Sequence, residues 1–226
     1  MSSPRCVIFD VDGTLVDSQD MIFDAFCHAY ATASLPPPDR TRALSFVGLS
    51  LDLIFPQLSP ELDEATHRRL VAGYRDAYQH LRQTRGSNAT SPFYPGMRDV
   101  LEALRAQDWT LMAVATGKSR RGLDKLIEGH GLDGWFQSQQ VADHHPSKPH
   151  PAMIEAVLSE TGVATERAVM IGDTTFDMEM AAAAGVRSIG VSWGYHATDR
   201  LQADLIVKEA GMLLPAIDKL IGQAHE

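Results

Sequence analysis

The chain has 226 residues, of which 44% are hydrophobic and 22% charged, so it can bury a substantial core and is neither intrinsically disordered, collagen-like nor a coiled coil. Its 20 Lys and Arg against 29 Asp and Glu give a formal net charge of −9, which disfavours nucleic acid or an anionic membrane as the main partner, because both attract clustered cations. Two cysteines are too few for a disulfide framework, and no apolar run approaches the roughly 20 residues of a membrane span, so we predict a soluble cytoplasmic protein.

The first predicted strand, residues 6–9, is followed by a long segment without further strand signals. Residues 22–30 carry apolar side chains at helical spacing, and a proline triplet at 36–38 ends that helix. A second long helix is predicted to begin at Ser59 and Pro60, a capping residue followed by a proline at the first helical position. The polar stretch at 85–95 is predicted to be a linker that returns the chain to the sheet.

From about residue 95 onward, short apolar runs alternate with segments of helical periodicity, which is the pattern of a parallel sheet wrapped by helices. The predicted strands are residues 110–115, 168–171, 188–191 and 205–207, and the predicted helices are residues 97–106, 120–130, 152–161 and 176–184. We therefore predict an α/β fold. Residues 1–15 and 93–226 form a Rossmann-like core with an open parallel sheet, and residues 16–92 form a helical insert within it.

Acidic residues follow two of the predicted strands, at the edge where such a sheet binds ligands. Asp10 and Asp12 come after the first strand, and Asp173 and Asp177 follow the strand at 168–171. Each pair alone is common in turns and at helix starts. Carboxylates about 4 Å apart, however, repel each other by roughly 4 kcal/mol at an effective dielectric near 20. A cluster of oxygen ligands with no Cys or His at metal-binding spacing therefore predicts Mg²⁺.

Groups suited to binding an anion are predicted at the same edge. The Thr116 hydroxyl and the Gly117 amide follow the strand at 110–115 and precede a predicted helix. Lys148 stands between prolines at 146, 149 and 151, ahead of another helix, where it could clamp a phosphate. The segment from Gly117 to Ser119 imitates the end of a nucleotide-binding P-loop, but the first glycine of that motif would fall at Met112 inside a strand, so we reject a kinase.

Four segments stand out together: FDVDGTLVDS at 9–18, ATGK at 115–118, SKPHP at 147–151 and GDTTFD at 172–177. In this order and spacing they resemble the four motifs of the haloacid dehalogenase-like hydrolase superfamily. The helical insert is similar to the helical cap of the subfamily that contains the phosphoglycolate phosphatases, and the FYPG segment at 93–96 resembles the return from that cap to the core. The resemblance covers nearly the whole chain.

The resemblance implies roles for the residues at the motif positions. Asp10 would be the nucleophile that forms an aspartyl-phosphate. Asp12 would protonate the leaving oxygen and later activate water. Thr116, the Gly117 amide and Lys148 would hold the transferring oxygens.

The implied cofactor is Mg²⁺, placed among the same acids. It would bind Asp10, the backbone carbonyl of Asp12 and Asp173. Asp177 would orient Lys148 or a metal-bound water. Such a cation would let an acidic protein bind an anionic substrate.

Differences from related chemistries narrow the implied reaction. Haloacid dehalogenases lack the second aspartate of the first motif, whereas Asp12 is present. Phosphonate hydrolases of the superfamily use a cap lysine, and residues 16–92 contain none; hexose-phosphate mutases carry a hinge histidine where this chain has Ile22. Hydrolysis of a small phosphorylated metabolite, phosphoglycolate-like, is the resulting hypothesis. The alternatives are a pyrophosphatase, a sugar-phosphate or nucleotide phosphatase, and a non-catalytic phosphate-binding protein.

Two residues of the helical insert are candidates for substrate binding. Gly48 lies in a loop that resembles the cap loop reaching toward the substrate, and it would permit a close backbone approach. Arg42 could recognise a carboxylate, the alternative being an ordinary surface arginine. The histidines at 144, 145 and 150 could suggest zinc, but with no cysteine nearby we interpret them as loop residues. The chain is expected to be a monomer or a homodimer.

Overall fold

A parallel β-sheet of six strands forms the centre of the protein, in a computed structural model that describes residues 4–223. The strands are β1 (Arg5–Phe9), β2 (Thr110–Thr116), β3 (Ser138–Val141), β4 (Ala168–Gly172), β5 (Arg187–Val191) and β6 (Leu205–Val207), in the order β3-β2-β1-β4-β5-β6. The chain winds in opposite directions from β1 and β4, so a crevice opens between their carboxyl ends. The predicted open parallel sheet is confirmed.

Helices cover both faces of the sheet because its strand residues alternate between the two faces. Val7 and Phe9 of β1 belong to the core on one side, whereas Cys6 and Ile8 belong to the core on the other side. The first side is covered by α6 (Met97–Arg105), α7 (Arg120–His130) and α10 (Leu213–Ile221), and the second by α8 (Ala152–Thr161) and α9 (Thr175–Ala183). Both layers are almost entirely apolar where they meet the sheet.

The segment between β1 and α6 is helical, and it has a hydrophobic core of its own. Its helices are α1 (Gln19–Thr32), α2 (Arg40–Leu44), α3 (Leu51–Leu58), α4 (Glu64–Arg85) and α5 (Ser87–Thr90). The Phe26 ring lies 4.9 Å from that of Tyr74 and 5.7 Å from that of Phe55, centroid to centroid. These aromatic contacts join α1, α3 and α4.

Two local predictions are wrong, and one strand was not predicted. The long helix α4 does not begin at Ser59 and Pro60; it begins after Asp63, whose carboxylate accepts a hydrogen bond from the Thr66 amide at 2.7 Å and caps the helix. The polar stretch at 85–95 is not all linker, since α5 lies within it. Strand β3 was not predicted, because its sequence SQQV lacks the apolar character that marks the other strands.

The helical insert leaves and rejoins the core at one place, beside the carboxyl end of β1. Val16 forms an isolated bridge with Phe93, and the Asp17 amide donates to the Pro92 carbonyl at 2.8 Å. The helical segment therefore begins and ends at neighbouring points beside the crevice of the sheet. The predicted core extends over residues 1–3 and 224–226, which lie outside the described residues. Within residues 4–223, none of the helices combines the length and the apolar character needed to cross a membrane.

Candidate active site

Asp10 and Asp12 lie where β1 ends and the backbone turns. Asp10 is only 2% exposed, and its amide donates to the carbonyl of Ile171 at the end of β4, which fixes the two strand ends together. Gly13 has a φ of +89°, and a Cβ there would come within 2.2 Å of an Asp173 carboxylate oxygen. A side chain at Gly13 would therefore displace the acids, and only glycine suits this turn.

The second pair of acids follows β4. Asp173 accepts hydrogen bonds from the Thr14 hydroxyl and from the Tyr195 amide, both at 2.8 Å. Asp177 lies in the first turn of α9 and caps that helix reciprocally with Thr174, whose amide and hydroxyl both donate to its carboxylate. Both carboxyl groups are completely buried.

Lys148 connects one acid that follows β1 with one that follows β4. Its ammonium donates to one carboxylate oxygen of Asp10 and one of Asp177, each at 2.6 Å, and the residue is 1% exposed. Burial raises the pKa of Asp10 to about 7, although the Lys148 charge acts in the opposite direction. Burial opposes the charge of Lys148 itself, yet the adjacent Asp10 and Asp177 carboxylates raise its pKa above the ordinary value.

The acids of this site suit a hard divalent cation. Asp10, Asp173 and Asp177 each offer a carboxylate oxygen, and these oxygens all lie within 4.8 Å of one another. Burial raises the pKa of Asp173 well above its usual value, with further contributions from Asp177 and Asp10. One lysine cannot balance three buried carboxylates, and the donors are all oxygen, so the residues fit Mg²⁺.

No second group of this kind occurs in the part of the chain that the structure describes. In particular, the histidines at 144, 145 and 150 do not assemble into a metal-binding group within residues 4–223. His145 contacts the Gln140 side chain at 2.8 Å, and His150 accepts a hydrogen bond from the Ala152 amide at 3.2 Å. Both are loop residues, in agreement with the interpretation from the sequence.

The Asp12 carboxylate points away from the other acids. One of its oxygens accepts a hydrogen bond from the Ser18 hydroxyl at 2.5 Å and lies 2.8 Å from the ammonium of Lys118. Lys118 had no predicted role beyond its place in the ATGK segment, and its contact with Tyr78 of α4, whose hydroxyl accepts a hydrogen bond from Lys118 at 2.9 Å, was not predicted. The position of Lys118 two residues after Thr116, at a strand end, was the available signal.

A cavity of about 670 Å³ separates the helical insert from the sheet edge. Asp10, Asp12, Thr116, Gly117 and Gly48 all line it. Two glycines allow the insert to approach the core closely, because a Cβ at Gly117 would meet the Gly48 carbonyl oxygen at 2.6 Å. The structure thus brings these sequence-predicted residues to one cavity. Lys148, Asp173 and Asp177 do not line it but are buried next to Asp10.

Arg42 is the exception among the predicted site residues. It lies exposed on α2, where its guanidinium donates to the Gln57 carbonyl at 3.2 Å, and it does not line the cavity. Arg42 is in the first turns after Asp39, whose carboxylate caps α2, and this places the side chain on the outer surface of the insert. The structure therefore does not bring Arg42 to the cavity, and its exposed position matches the surface arginine considered as the alternative.

The chain is similar to proteins of known families along almost its whole length. A family model described as "Haloacid dehalogenase-like hydrolase" matches residues 7–191. "Probable phosphatase IndB" of Dickeya dadantii is 37% identical over 97% of this chain and 93% of that protein. A phosphoglycolate phosphatase of Pseudomonas putida is 29% identical over 94% of this chain and 79% of that protein. The crystal structure of a predicted phosphatase from Clostridium acetobutylicum has a TM-score of 0.83 at 26% identity, covering 97% of this chain and 100% of that one.

Proposed function

The chain belongs to the haloacid dehalogenase-like hydrolases, and on this premise we propose that it is a Mg²⁺-dependent phosphatase that hydrolyses monoesters of small metabolites through an aspartyl-phosphate. The observation that carries the proposal is the placement of Asp10. Its buried carboxylate is held by Lys148 and lies beside Asp173, at the floor of a cavity that Asp12 also lines. Similarity to proteins named phosphatases supports the same reaction class.

In the proposed reaction, Asp10 and Asp12 divide the chemistry between them. A carboxylate oxygen of Asp10 attacks phosphorus, the bond from phosphorus to the alcohol oxygen breaks, and that oxygen takes a proton from Asp12. In the second step Asp12 takes a proton from water, whose oxygen attacks phosphorus and breaks the bond to Asp10. Enzyme, alcohol and inorganic phosphate are released. The opposite orientations of the two carboxylates support this division, since Asp10 points to Lys148 and Asp12 points to Ser18 and Lys118.

Asp10, Asp173 and the backbone carbonyl of Asp12 are the proposed ligands of Mg²⁺. When bound, the cation would supply positive charge that attracts the substrate phosphate and favours the ionised form of Asp10. Asp177 already holds Lys148 and the Thr174 amide, so its proposed role is to orient the lysine.

The remaining motif residues are proposed to hold the phosphate group. Thr116 ends β2 and Gly117 follows it, both lining the cavity with Asp10, and Lys148 supplies a fixed positive charge. Gly48 brings the backbone of the insert against Gly117, which would exclude water from the reacting group. We propose that residues 16–92 act as a cap domain over a core formed by residues 1–15 and 93–226.

The lining of the cavity supports a small anionic substrate. Arg75 and Arg82 of α4 and Arg121 of α7 line it and could bind a second anionic group, such as the carboxylate of phosphoglycolate. Asp52 and Asp143 also line the cavity, and their carboxylates could accept hydrogen bonds from the hydroxyl groups of a sugar. A sugar phosphate is therefore the second candidate.

The proposal is tested by phosphate release from purified protein. We expect turnover of p-nitrophenyl phosphate with Mg²⁺ present and its loss in EDTA, with recovery when excess Mg²⁺ is added. A panel comprising phosphoglycolate, sugar phosphates, nucleotides and pyrophosphate should then be compared by kcat/KM. A flat profile would count against the phosphoglycolate-like substrate, and a protein that binds phosphate without any Mg²⁺-dependent turnover would be a binding protein instead.

Replacing Gly117 by alanine is expected to lower kcat/KM by about tenfold to a hundredfold, since a misplacement of about 1 Å in a site can cost about 10²-fold. The new Cβ would lie 2.6 Å from the Gly48 carbonyl oxygen, and backbone cannot yield as a flexible side chain can. Gly211→Ala is the matched control, because nothing lies within 4 Å of a Cβ there. Equal kinetics for the two variants would show that the contact between insert and core does not matter for turnover.

A further inference from the structure

The ammonium of Lys118 lies between the core and the helical insert. Its side chain is 7% exposed, and its Nζ is 2.8 Å from an Asp12 carboxylate oxygen. On the other side, Nζ donates to the Tyr78 hydroxyl at 2.9 Å and lies 5.1 Å from the centroid of that ring. All three residues line the cavity.

We propose that Lys118 is a positioning residue for the proton donor Asp12, and that Tyr78 of the insert holds Lys118 in place. This inference rests on the proposed phosphatase reaction. Lys118 and the Ser18 hydroxyl both contact the same Asp12 oxygen. These two contacts would fix the carboxylate and leave its other oxygen to carry the proton that the leaving group takes.

The backbone of Lys118 is suited to this role because it is rigid. The Lys118 amide donates to the Thr116 hydroxyl at 3.3 Å, and its carbonyl accepts from the Ala142 amide at 3.1 Å, just beyond the end of β3. The lysine side chain therefore extends from a backbone position that is fixed at the end of β2. Its second anchor comes from α4, so the orientation of Asp12 depends on the insert being seated on the core.

Tyr78 also couples this arrangement to the aromatic core of the insert. Its ring stacks on that of Tyr74, with centroids 5.9 Å apart and planes inclined by 25°. Tyr74 in turn contacts Phe26 of α1. The position of the Tyr78 hydroxyl is thus set by the packing of the insert rather than by a mobile side chain.

The test compares two esters that need the proton of Asp12 to different degrees. p-Nitrophenolate is a stable leaving group, whereas an alkyl phosphate such as glycerol phosphate must release an alkoxide that takes up a proton. General acid–base catalysis contributes about 10²–10⁴-fold. For Lys118→Met we therefore expect kcat to fall about tenfold to a hundredfold on the alkyl ester and by no more than about threefold on p-nitrophenyl phosphate.

Three further variants make the comparison specific. Asp12→Asn shows how far kcat falls on the alkyl ester relative to p-nitrophenyl phosphate when the proton donor is absent. Tyr78→Phe should give the same pattern, with a fall of only a few-fold on the alkyl ester. Lys219→Met, which changes an exposed lysine on α10, should match the unaltered protein. An equal fall in kcat for both esters, or a rise in KM with unchanged kcat, would overturn the inference, the second because it would make Lys118 a substrate-binding residue. If Lys118→Met does not fold, the Tyr78→Phe result decides.

A measurement that needs no turnover separates this inference from the proposed function. Melting temperatures of Lys118→Met, Asp12→Asn and the double variant should be strongly non-additive, because the first change removes the partner of the second. Additive shifts would overturn the pairing. By contrast, absence of Mg²⁺-dependent turnover in the unaltered protein would overturn the phosphatase and with it the role of Asp12 as proton donor.

Discussion

Replacing Asp10 by asparagine is expected to abolish phosphate release from every substrate, by about 10⁴-fold or more, the scale seen when a nucleophile is removed from other enzymes. The amide cannot form the aspartyl-phosphate, whereas the neighbouring Asp12 and Asp173 stay in place. Phosphate release with Mg²⁺ present measures the loss. Asp133→Asn, which changes an exposed aspartate, is the matched control. Retained turnover in Asp10→Asn would refute the assignment of Asp10 as the nucleophile.

The same substitution is expected to leave the fold intact and to change how stability depends on pH. Burial raises the pKa of Asp10 to about 7, so the folded protein holds this proton more tightly than the unfolded chain does, whose aspartates titrate near about 3.9. The contribution of Asp10 to stability is therefore greatest at low pH and declines as pH rises toward 7. In EDTA, Asp10→Asn should show a shallower fall in melting temperature between pH 5 and pH 8 than the unaltered protein. A steeper fall would contradict the assignment.

Replacing Lys148 by methionine is expected to remove activity and also to destabilise the protein by about 3–5 kcal/mol at pH 8 in EDTA, the usual result of breaking a buried ion pair. The ammonium is the partner of both Asp10 and Asp177, and all three side chains are buried. Without it, two carboxylates lose their positively charged partner while Asp173 lies close by. Urea unfolding measures the loss of stability, with Lys219→Met as the exposed control.

Charge, not packing, is the expected cause of this destabilisation. Without the ammonium, the pKa of Asp10 should rise further, because Lys148 is what lowers it. Protonation then relieves the repulsion, so the deficit of Lys148→Met should be smaller at pH 5 than at pH 8. Added Mg²⁺ should also reduce it, since a cation among the carboxylates replaces the missing charge. If the loss of unfolding free energy were equal at both pH values and insensitive to Mg²⁺, Lys148 would stabilise the protein through the packing of its aliphatic chain and not through its charge.

The fold was predictable where local sequence and long-range structure favour the same state. Buried strands of a parallel sheet contain continuous apolar runs, and β1, β2 and β4 were recognised for that reason. Strand β3 was not, because SQQV pairs on one side only, with β2, and can keep glutamines at the edge of the sheet. The beginning of α4 was misplaced because Ser59–Pro60 and Asp63 both fit a helix start, and the choice depends on how α3 ends.

Some residues of the candidate site could likewise be predicted from the sequence, and others could not. The acids at strand ends could be paired from the sequence, because parallel strands present their carboxyl ends at one edge. Arg42 could not be placed, since the path of a short helix over the surface of the insert leaves no periodic signal. Lys118 could not be interpreted, because its partners Asp12 and Tyr78 come from the first strand end and from the insert.

By itself, the sequence determined the α/β class, the position of the insert, the four-motif resemblance and the acids that a cation would bind. These follow from local periodicity and from residues adjacent to strand ends, and they need no knowledge of contacts across the chain. Only the tertiary structure decided which side chain faces which: that Lys148 joins Asp10 to Asp177, and that Lys118 joins Asp12 to the insert. The physical reason is that an ion pair acts over a few ångströms in a buried setting, and the packing of distant segments alone brings its members within that range.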